Sequence, residues 1–126
     1  MRETKLKVWD STLEEMVGPF TLFEISCRLE GLFNNEDSCI IIQYTGRKDC
    51  GNKEIYDGDI VNFKFPKHGP QYYIGVIRWS DDYLCWIVSA YYKYPKGMHS
   101  YRVYEVTNLE IIGNIFQNKG LIEKEV

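Results

Sequence analysis

The sequence lacks the features that mark several large classes of protein. Its apolar runs are short, as in Cys39–Ile42, whereas a helix that spans a bilayer needs about 20 apolar residues. We therefore expect no contact with membranes. The first residues are charged and no apolar stretch follows them, so we also expect no signal peptide and a cytoplasmic location.

Closely spaced cysteines are also missing. The four cysteines, Cys27, Cys39, Cys50 and Cys85, are far apart along the chain. A structural zinc site normally uses close pairs of Cys or His, and no such pair occurs here. We expect reduced thiols, as is usual in the cytosol, with no bound metal and no cofactor.

Positive charge is scarce for a protein that binds nucleic acid. The net charge is −3, whereas nucleic-acid-binding domains are usually basic. Aromatic residues are abundant instead: they make up 15% of the 126 residues, and ten are Tyr. With 44% apolar residues, the chain can bury a substantial core, and we predict a single domain over residues 1–126.

Alternating apolar and polar residues favour strands along most of the chain. In Thr4–Trp9, Leu6 and Val8 lie on one face of a strand and Lys5 and Lys7 on the other. Further strands are expected at 14–17, 39–44, 59–65, 72–79, 84–89, 101–106 and 109–115. The pattern predicts a mainly β fold, a small antiparallel barrel or a strongly bent sheet, SH3-like by analogy, with at most one or two short helices.

Three parts of the chain receive separate predictions. The strand-rich core is expected at 39–115, and the charged tail at 117–126 is expected to fray. The stretch 20–33 fits two structures. Thr21 and Glu24 have the spacing of a capping box, which favours a short helix, while apolar residues at every second position from 23 to 29 suit a strand. The helix is favoured.

The tryptophans are predicted to fill the core. Trp79 and Trp86 flank a turn signal at Ser80-Asp81-Asp82, so they are placed to face each other across a hairpin.

A 19-residue segment carries a resemblance to a known family. Gln43–Val61 reads QYTGRKDCGNKEIYDGDIV, which resembles a block of the YopX family. The beginning, Arg2–Asp10 with its Trp9-Asp10 pair, and the end, Leu109–Asn118, agree with that family too. The resemblance therefore spans almost the whole chain. It implies a phage or prophage gene expressed in a bacterial host, and it implies no activity and no catalytic residues.

The motif has two interpretations. Asp57 and Asp59 are two residues apart, so on an extended strand they share a face and resemble a carboxylate pair for a metal or for acid–base chemistry. A turn held by Gly58 and by carboxylate–backbone bonds explains the same residues, and this structural interpretation is favoured. The motif positions expected to be structural are Gln43, Tyr44, Thr45, Gly46, Asp49, Gly51, Ile55, Tyr56, Asp57, Gly58 and Asp59.

The segment Tyr91–Tyr104 is the candidate binding surface. It has five Tyr and three basic residues and no acid. Tyr and Arg are common anchors of protein interfaces, and the same types can stack on bases and meet phosphates. A plain hairpin rich in Tyr is the third interpretation. The candidate residues are Tyr91, Tyr92, Lys93, Tyr94, Lys96, Tyr101, Arg102 and Tyr104.

These observations predict a non-enzymatic accessory protein that binds macromolecules or assembles with itself. We expect a homo-oligomer, with a phage or host protein as a further possible partner. The alternative is a small nucleic-acid-binding barrel that uses the basic, Tyr-rich segment 91–104, with weak binding because the net charge is negative. No nucleophile–base pair or phosphate loop is evident, so no enzyme is expected.

Overall fold

The structure is a computed structural model that describes residues 4–21, 23–24, 39–93 and 96–123. The described strands are β1 (Lys5–Asp10), β2 (Glu15–Thr21), β3 (Cys39–Lys48), β4 (Glu54–Tyr56), β5 (Asp59–Lys64), β6 (Tyr72–Ser80), β7 (Cys85–Lys93), β8 (Lys96–Arg102) and β9 (Thr107–Asn114). They form a four-stranded sheet, β2-β1-β3-β4, and a five-stranded sheet, β8-β7-β6-β5-β9. Every described pairing is antiparallel. The prediction of a mainly β, bent-sheet fold is confirmed, and the described strands do not close into a barrel.

Two hairpins have loops of the same form. The β1–β2 and β6–β7 loops each contain four residues and end on a residue with φ of 53°, Glu14 in the first and Leu84 in the second. In the first loop the Asp10 carboxylate accepts two backbone N–H hydrogen bonds, and in the second the Ser80 hydroxyl accepts one. Short polar side chains that bond nearby backbone therefore define both turns.

The predicted Trp pair is present on the β6–β7 hairpin. Trp79 and Trp86 are cross-strand partners, with ring centroids 5.5 Å apart and ring planes at 78°. Trp9 is buried and Trp86 is half-buried, but Trp79 is 45% exposed. The core prediction is therefore wrong for Trp79, which lies next to the hairpin loop at the end of the sheet.

Several predicted boundaries are wrong. Residues 91–93 and 96–99 lie between the predicted strands at 84–89 and 101–106, but they belong to β7 and β8, which pair with each other. The predicted strand at Tyr101–Val106 gives way to a 3-10 turn at Val103–Glu105. The strand predicted at 14–17 is β2, which continues through Gly18-Pro19 to Thr21 and pairs with β1 on both sides of a register shift. Where β2, β7 and β8 are longer than predicted, pairing between strands overrides local propensity.

The capping interaction at Thr21 is present. The backbone N–H of Glu24 donates to the Thr21 hydroxyl, which in turn donates to the Glu24 carboxylate, each at 3.2 Å. Residues 23 and 24 are helical. Phe20 and Thr21, which begin the stretch predicted as a helix at 20–33, are instead the end of β2, and residues 22 and 25–33 lie outside the described residues. In the tail, a short helical turn forms at Gly120–Glu123.

The two sheets enclose two main apolar cores. The larger core covers one face of the five-stranded sheet, which we call the inner face, and includes Val61, Phe63, Ile77, Val88 and Tyr101. A second core packs the four-stranded sheet against the segment after β9 and consists of Trp9, Ile42, Tyr44 and Tyr56 with Met16 and Phe116 packed against it.

Gly58 lies where the sheets and the C-terminal segment meet. Its φ is +87°, its N–H donates to Ile77 O at 2.7 Å, and its carbonyl accepts from Ile115 N–H at 2.9 Å. A Cβ at this position would lie 2.9 Å from the Phe116 ring. Glycine is therefore required both by the backbone conformation and by the close approach of Phe116.

A comparison of Gly58 with Gly46 separates the requirement of the backbone conformation from that of close packing. Gly46 has the same φ of +87°, but a Cβ added there would have no atom of another residue within 4 Å. We expect Gly46→Ala to reduce the free energy of unfolding by about 1–2 kcal/mol, the cost of the left-handed conformation. Gly58→Ala should cost about 1–3 kcal/mol more because of overpacking.

Urea denaturation of both variants measures the difference. Gly58→Ala should cost less in a Phe116→Ala background than in the wild type, and this double-mutant cycle tests the clash directly. Equal losses for the two glycine variants would contradict the packing role of Gly58.

Candidate functional site

The Asp49 carboxylate binds backbone of its own β3–β4 loop and of strand β9. Asp49 is buried, and its Oδ1 accepts hydrogen bonds from Gly51 N–H at 2.9 Å and Lys53 N–H at 2.8 Å. Its Oδ2 accepts from Ile111 N–H of β9 at 3.0 Å. Burial alone would raise the pKa of Asp49, but these three backbone bonds outweigh it and lower the pKa. The carboxylate therefore stays ionised and links the β3–β4 loop to the five-stranded sheet.

The same loop bonds the free side of β9. Besides the Asp49 bond to Ile111, the N–H of Cys50 donates to Leu109 O at 2.8 Å. A sheet edge exposes unpaired backbone groups that can pair with another chain. Here two of those groups on β9 are already occupied by the β3–β4 loop.

Other motif residues also bond backbone. The Thr45 hydroxyl donates to Ile55 O at 2.8 Å, across from β3 to β4. The N–H of Asp57 donates to Gln43 O at 2.9 Å. Together with the left-handed Gly46, these contacts shape the β3–β4 hairpin that carries Asp49.

The basic face of β1 packs against tyrosines. Tyr44 and Tyr56 are cross-strand partners with centroids 5.4 Å apart. Lys7 Nζ lies 4.2 Å from the Tyr56 ring centroid, and Lys5 forms an ion pair with Glu54. The Tyr56 hydroxyl donates to Glu54 at 3.2 Å, and burial raises the pKa of Tyr56. The cluster is therefore a set of paired groups inside the fold.

The two carboxylates of the Asp57-Gly58-Asp59 turn have different partners. Asp59 Oδ2 accepts from Tyr56 N–H at 2.7 Å, and burial raises the pKa of Asp59 to about 6. Asp57 Oδ1 lies 3.5 Å from Arg78 Nε, and burial raises its pKa as well. In the part of the chain that the structure describes, no three His, Cys, Asp or Glu side chains are grouped to hold a metal ion.

The Tyr-rich segment does not form one surface. Tyr101 is buried in the larger core, where its ring centroid lies 4.4 Å from that of Phe65 and 5.8 Å from that of Phe63. Arg102 and Tyr104 are accessible. Tyr94 lies outside the described residues, as do the side chains at 91–93 and 96, although the backbone of those positions belongs to β7 and β8.

Two tyrosines outside that segment lie beside cations on the opposite face of the five-stranded sheet, which we call the outer face. Lys64 Nζ lies 4.7 Å from the Tyr72 ring centroid. Arg102 Cζ lies 4.6 Å from the Tyr83 centroid, and its guanidinium donates to Glu105 at 2.8 Å, which raises the pKa of Arg102. Tyr72 is 57% and Tyr83 54% exposed.

The outer face is apolar at its centre and aromatic, polar and basic around it. The strand register assigns to it Lys64, Tyr72, Ile74, Val76, Arg78, Ile87, Ser89, Met98, Ser100 and Arg102. Ile74, Val76 and Ile87 are half-buried, whereas Met98 is 64% exposed. This combination of an apolar centre and a polar rim with Tyr and Arg is common in binding surfaces.

Tyr72, Tyr83 and Met98 were not selected from the sequence alone, although the distribution of charged residues along the chain marks this region. Strands β6, β7 and β8 contain no Asp or Glu. Residues 65–104 carry five Lys or Arg and two Asp or Glu, whereas the other 86 residues carry ten and sixteen. Local charge in this region is therefore opposite in sign to that of the whole chain.

We expect Asp59 to make the stability of the fold depend on pH. Because the pKa of Asp59 is raised to about 6, the folded state binds its proton more tightly than the unfolded state does. Lowering the pH from 7 to 5 should therefore stabilise the fold by about 1 kcal/mol through this group. The pKa of Asp49 is lowered instead, so titration of Asp49 affects the stability only at a pH below this range.

Asp59→Asn keeps an acceptor for Tyr56 N–H and removes the titration. Urea denaturation at pH 7 and 5 should show a smaller gain for the variant than for the wild type. Both proteins contain the same histidines, so their difference isolates Asp59. An identical pH dependence in both would exclude this assignment.

Comparisons with known proteins concern the whole chain. The model of a family described as YopX protein matches residues 5–123. The fold is similar to the crystal structure of protein EF1440 from Enterococcus faecalis, with a TM-score of 0.60 and 19% sequence identity over 97% of this chain and 99% of that chain. No curated protein matches. Among the described residues, no helix has the length and hydropathy needed to cross a membrane.

Proposed function

This chain belongs to the YopX family, and from that premise we propose that it is a phage- or prophage-encoded accessory protein. It acts in the cytoplasm of a bacterial host by binding another macromolecule, without catalysis. The observation that carries this proposal is the outer face, where exposed Tyr72, Tyr83 and Met98 surround a half-buried apolar centre on strands without acids. Few interface residues supply most binding energy, and Tyr and Arg are prominent among them.

The titratable groups of the family motif support a binding protein over an enzyme. Asp49 and Asp59 are buried and accept hydrogen bonds from backbone N–H groups. Lys5 and Glu54 pair with each other. A catalytic acid or base must reach a proton on its substrate, and these groups are engaged in hydrogen bonds and an ion pair within the fold.

A pull-down tests the outer face. Tagged wild-type protein and the Tyr83→Asp/Met98→Asp variant are recovered from infected or prophage-induced bacterial cells, with and without nuclease. We expect the wild type to retain a macromolecule that the variant loses, since a carboxylate that a partner covers must lose its water. Leu13→Asp is the matched control because Leu13, on the β1–β2 loop, has the same 64% exposure as Met98. Identical recovery with all three proteins would refute the proposal.

A second copy of the chain is also a partner. Strand β8 lies at one end of the five-stranded sheet, and the strand at the other end, β9, is bonded by the β3–β4 loop. Two β8 strands can pair about a two-fold axis and so form a closed dimer.

Sedimentation equilibrium at micromolar concentration tests the dimer. We expect about twice the monomer mass for the wild type, and a shift toward monomer for Met98→Lys, because lysine on an edge strand opposes strand pairing. Leu13→Lys should leave the mass unchanged. A monomer mass at every concentration would rule out self-association.

A further inference from the structure

We propose that the outer face binds single-stranded nucleic acid; this rests on the proposed binding function and names its ligand. Proteins that bind single strands without sequence preference combine aromatic rings, on which bases stack, with cations that follow the phosphates. The outer face offers both, at positions set by the strands of a single sheet.

The first step of the argument concerns the rings. Tyr72 and Tyr83 are more than half exposed, and each has a cation beside it, Lys64 and Arg102 respectively. A cation over one face of a ring restrains the tyrosine and leaves its remaining surface available for a base. The adjacent cation is then close to the phosphate that follows the stacked base.

The second step concerns distance. Tyr72 begins β6 and Tyr83 lies in the loop that follows it, so the two tyrosines are at opposite ends of a strand whose eight residue steps span roughly 26 Å. A single strand rises about 3.4 Å per stacked nucleotide. The face therefore matches roughly eight nucleotides, with the hydroxyls of Ser89 and Ser100, 3.2 Å apart, between the two rings.

The third step concerns charge. Residues 65–104 have an excess of Lys and Arg, although the whole chain has a net charge of −3. Arg78 and Arg102 are partly neutralised by Asp57 and Glu105. An acidic remainder and paired arginines predict moderate affinity with strong dependence on salt. Two outer faces would repel each other, so this surface favours an anionic ligand over a second copy of itself.

Fluorescence anisotropy with a labelled oligothymidine of about 12 nucleotides tests the proposal at low salt. We expect micromolar binding that weakens by about eighteen-fold between about 50 and 200 mM salt, as three phosphate contacts require. An oligothymidine of about 4 nucleotides cannot reach both rings and should bind more weakly.

Matched variants separate stacking from charge. Tyr72→Ala and Tyr83→Ala should each weaken binding by about five-fold or more, whereas Tyr72→Phe and Tyr83→Phe keep the ring and most of the affinity. Lys64→Ala should reduce the salt dependence, and Lys48→Ala, which removes an exposed lysine of β3 outside the five-stranded sheet, should not. Circular dichroism and thermal melting of each variant check that the fold is retained.

Three results would overturn the inference. Equal binding of a duplex of the same length would mean that phosphates alone are recognised. Equal binding of polyglutamate would mean that any anion suffices. Absence of oligothymidine binding, combined with loss of a nuclease-resistant partner from the Tyr83→Asp/Met98→Asp variant, would leave the binding function standing with a protein as its ligand.

Discussion

One buried carboxylate, that of Asp49, has hydrogen bonds to backbone N–H groups on both sides of the junction between the sheets. An isolated buried charge is costly, and only several directed donors can offset that cost. The β3–β4 loop must therefore keep one conformation, and β9 must stay in register with it. Gly58 completes the junction, since its backbone bonds both β6 and the segment after β9. Most of the family motif therefore acts on the arrangement of the sheets.

The division of charge follows from the same arrangement. Carboxylates are concentrated where backbone donors or lysines can pair with them, as at Asp49, Asp59 and Glu54. Strands β6, β7 and β8 have none, so the outer face keeps its basic residues in an otherwise acidic protein. Net charge averages over these two regions and describes neither.

Features set by near neighbours in sequence were predictable, and features set by pairing between distant strands were less so. The Trp79–Trp86 pair and the Thr21–Glu24 contact depend on residues at most seven positions apart, and both are present. The alternation that placed Lys5 and Lys7 together was correct, but their tyrosine partners come from β3 and β4. Tyr101 and Arg102 both belong to the Tyr-rich, basic segment that the sequence singles out. Consecutive strand residues point to opposite faces, however, so only one of the two is buried. Which face is buried depends on the whole sheet.

The bonded edge of β9 has a consequence for the size of any assembly built by strand addition. A sheet with two open edges can add copies at both ends and grow into a fibre, whereas a sheet with one open edge is exhausted by a single pairing. With Leu109 and Ile111 already bonded to the β3–β4 loop, strand addition to the larger sheet is directed to β8, where pairing about a two-fold axis is self-limiting. The loop that joins the sheets thereby also protects the protein against polymerisation through its larger sheet.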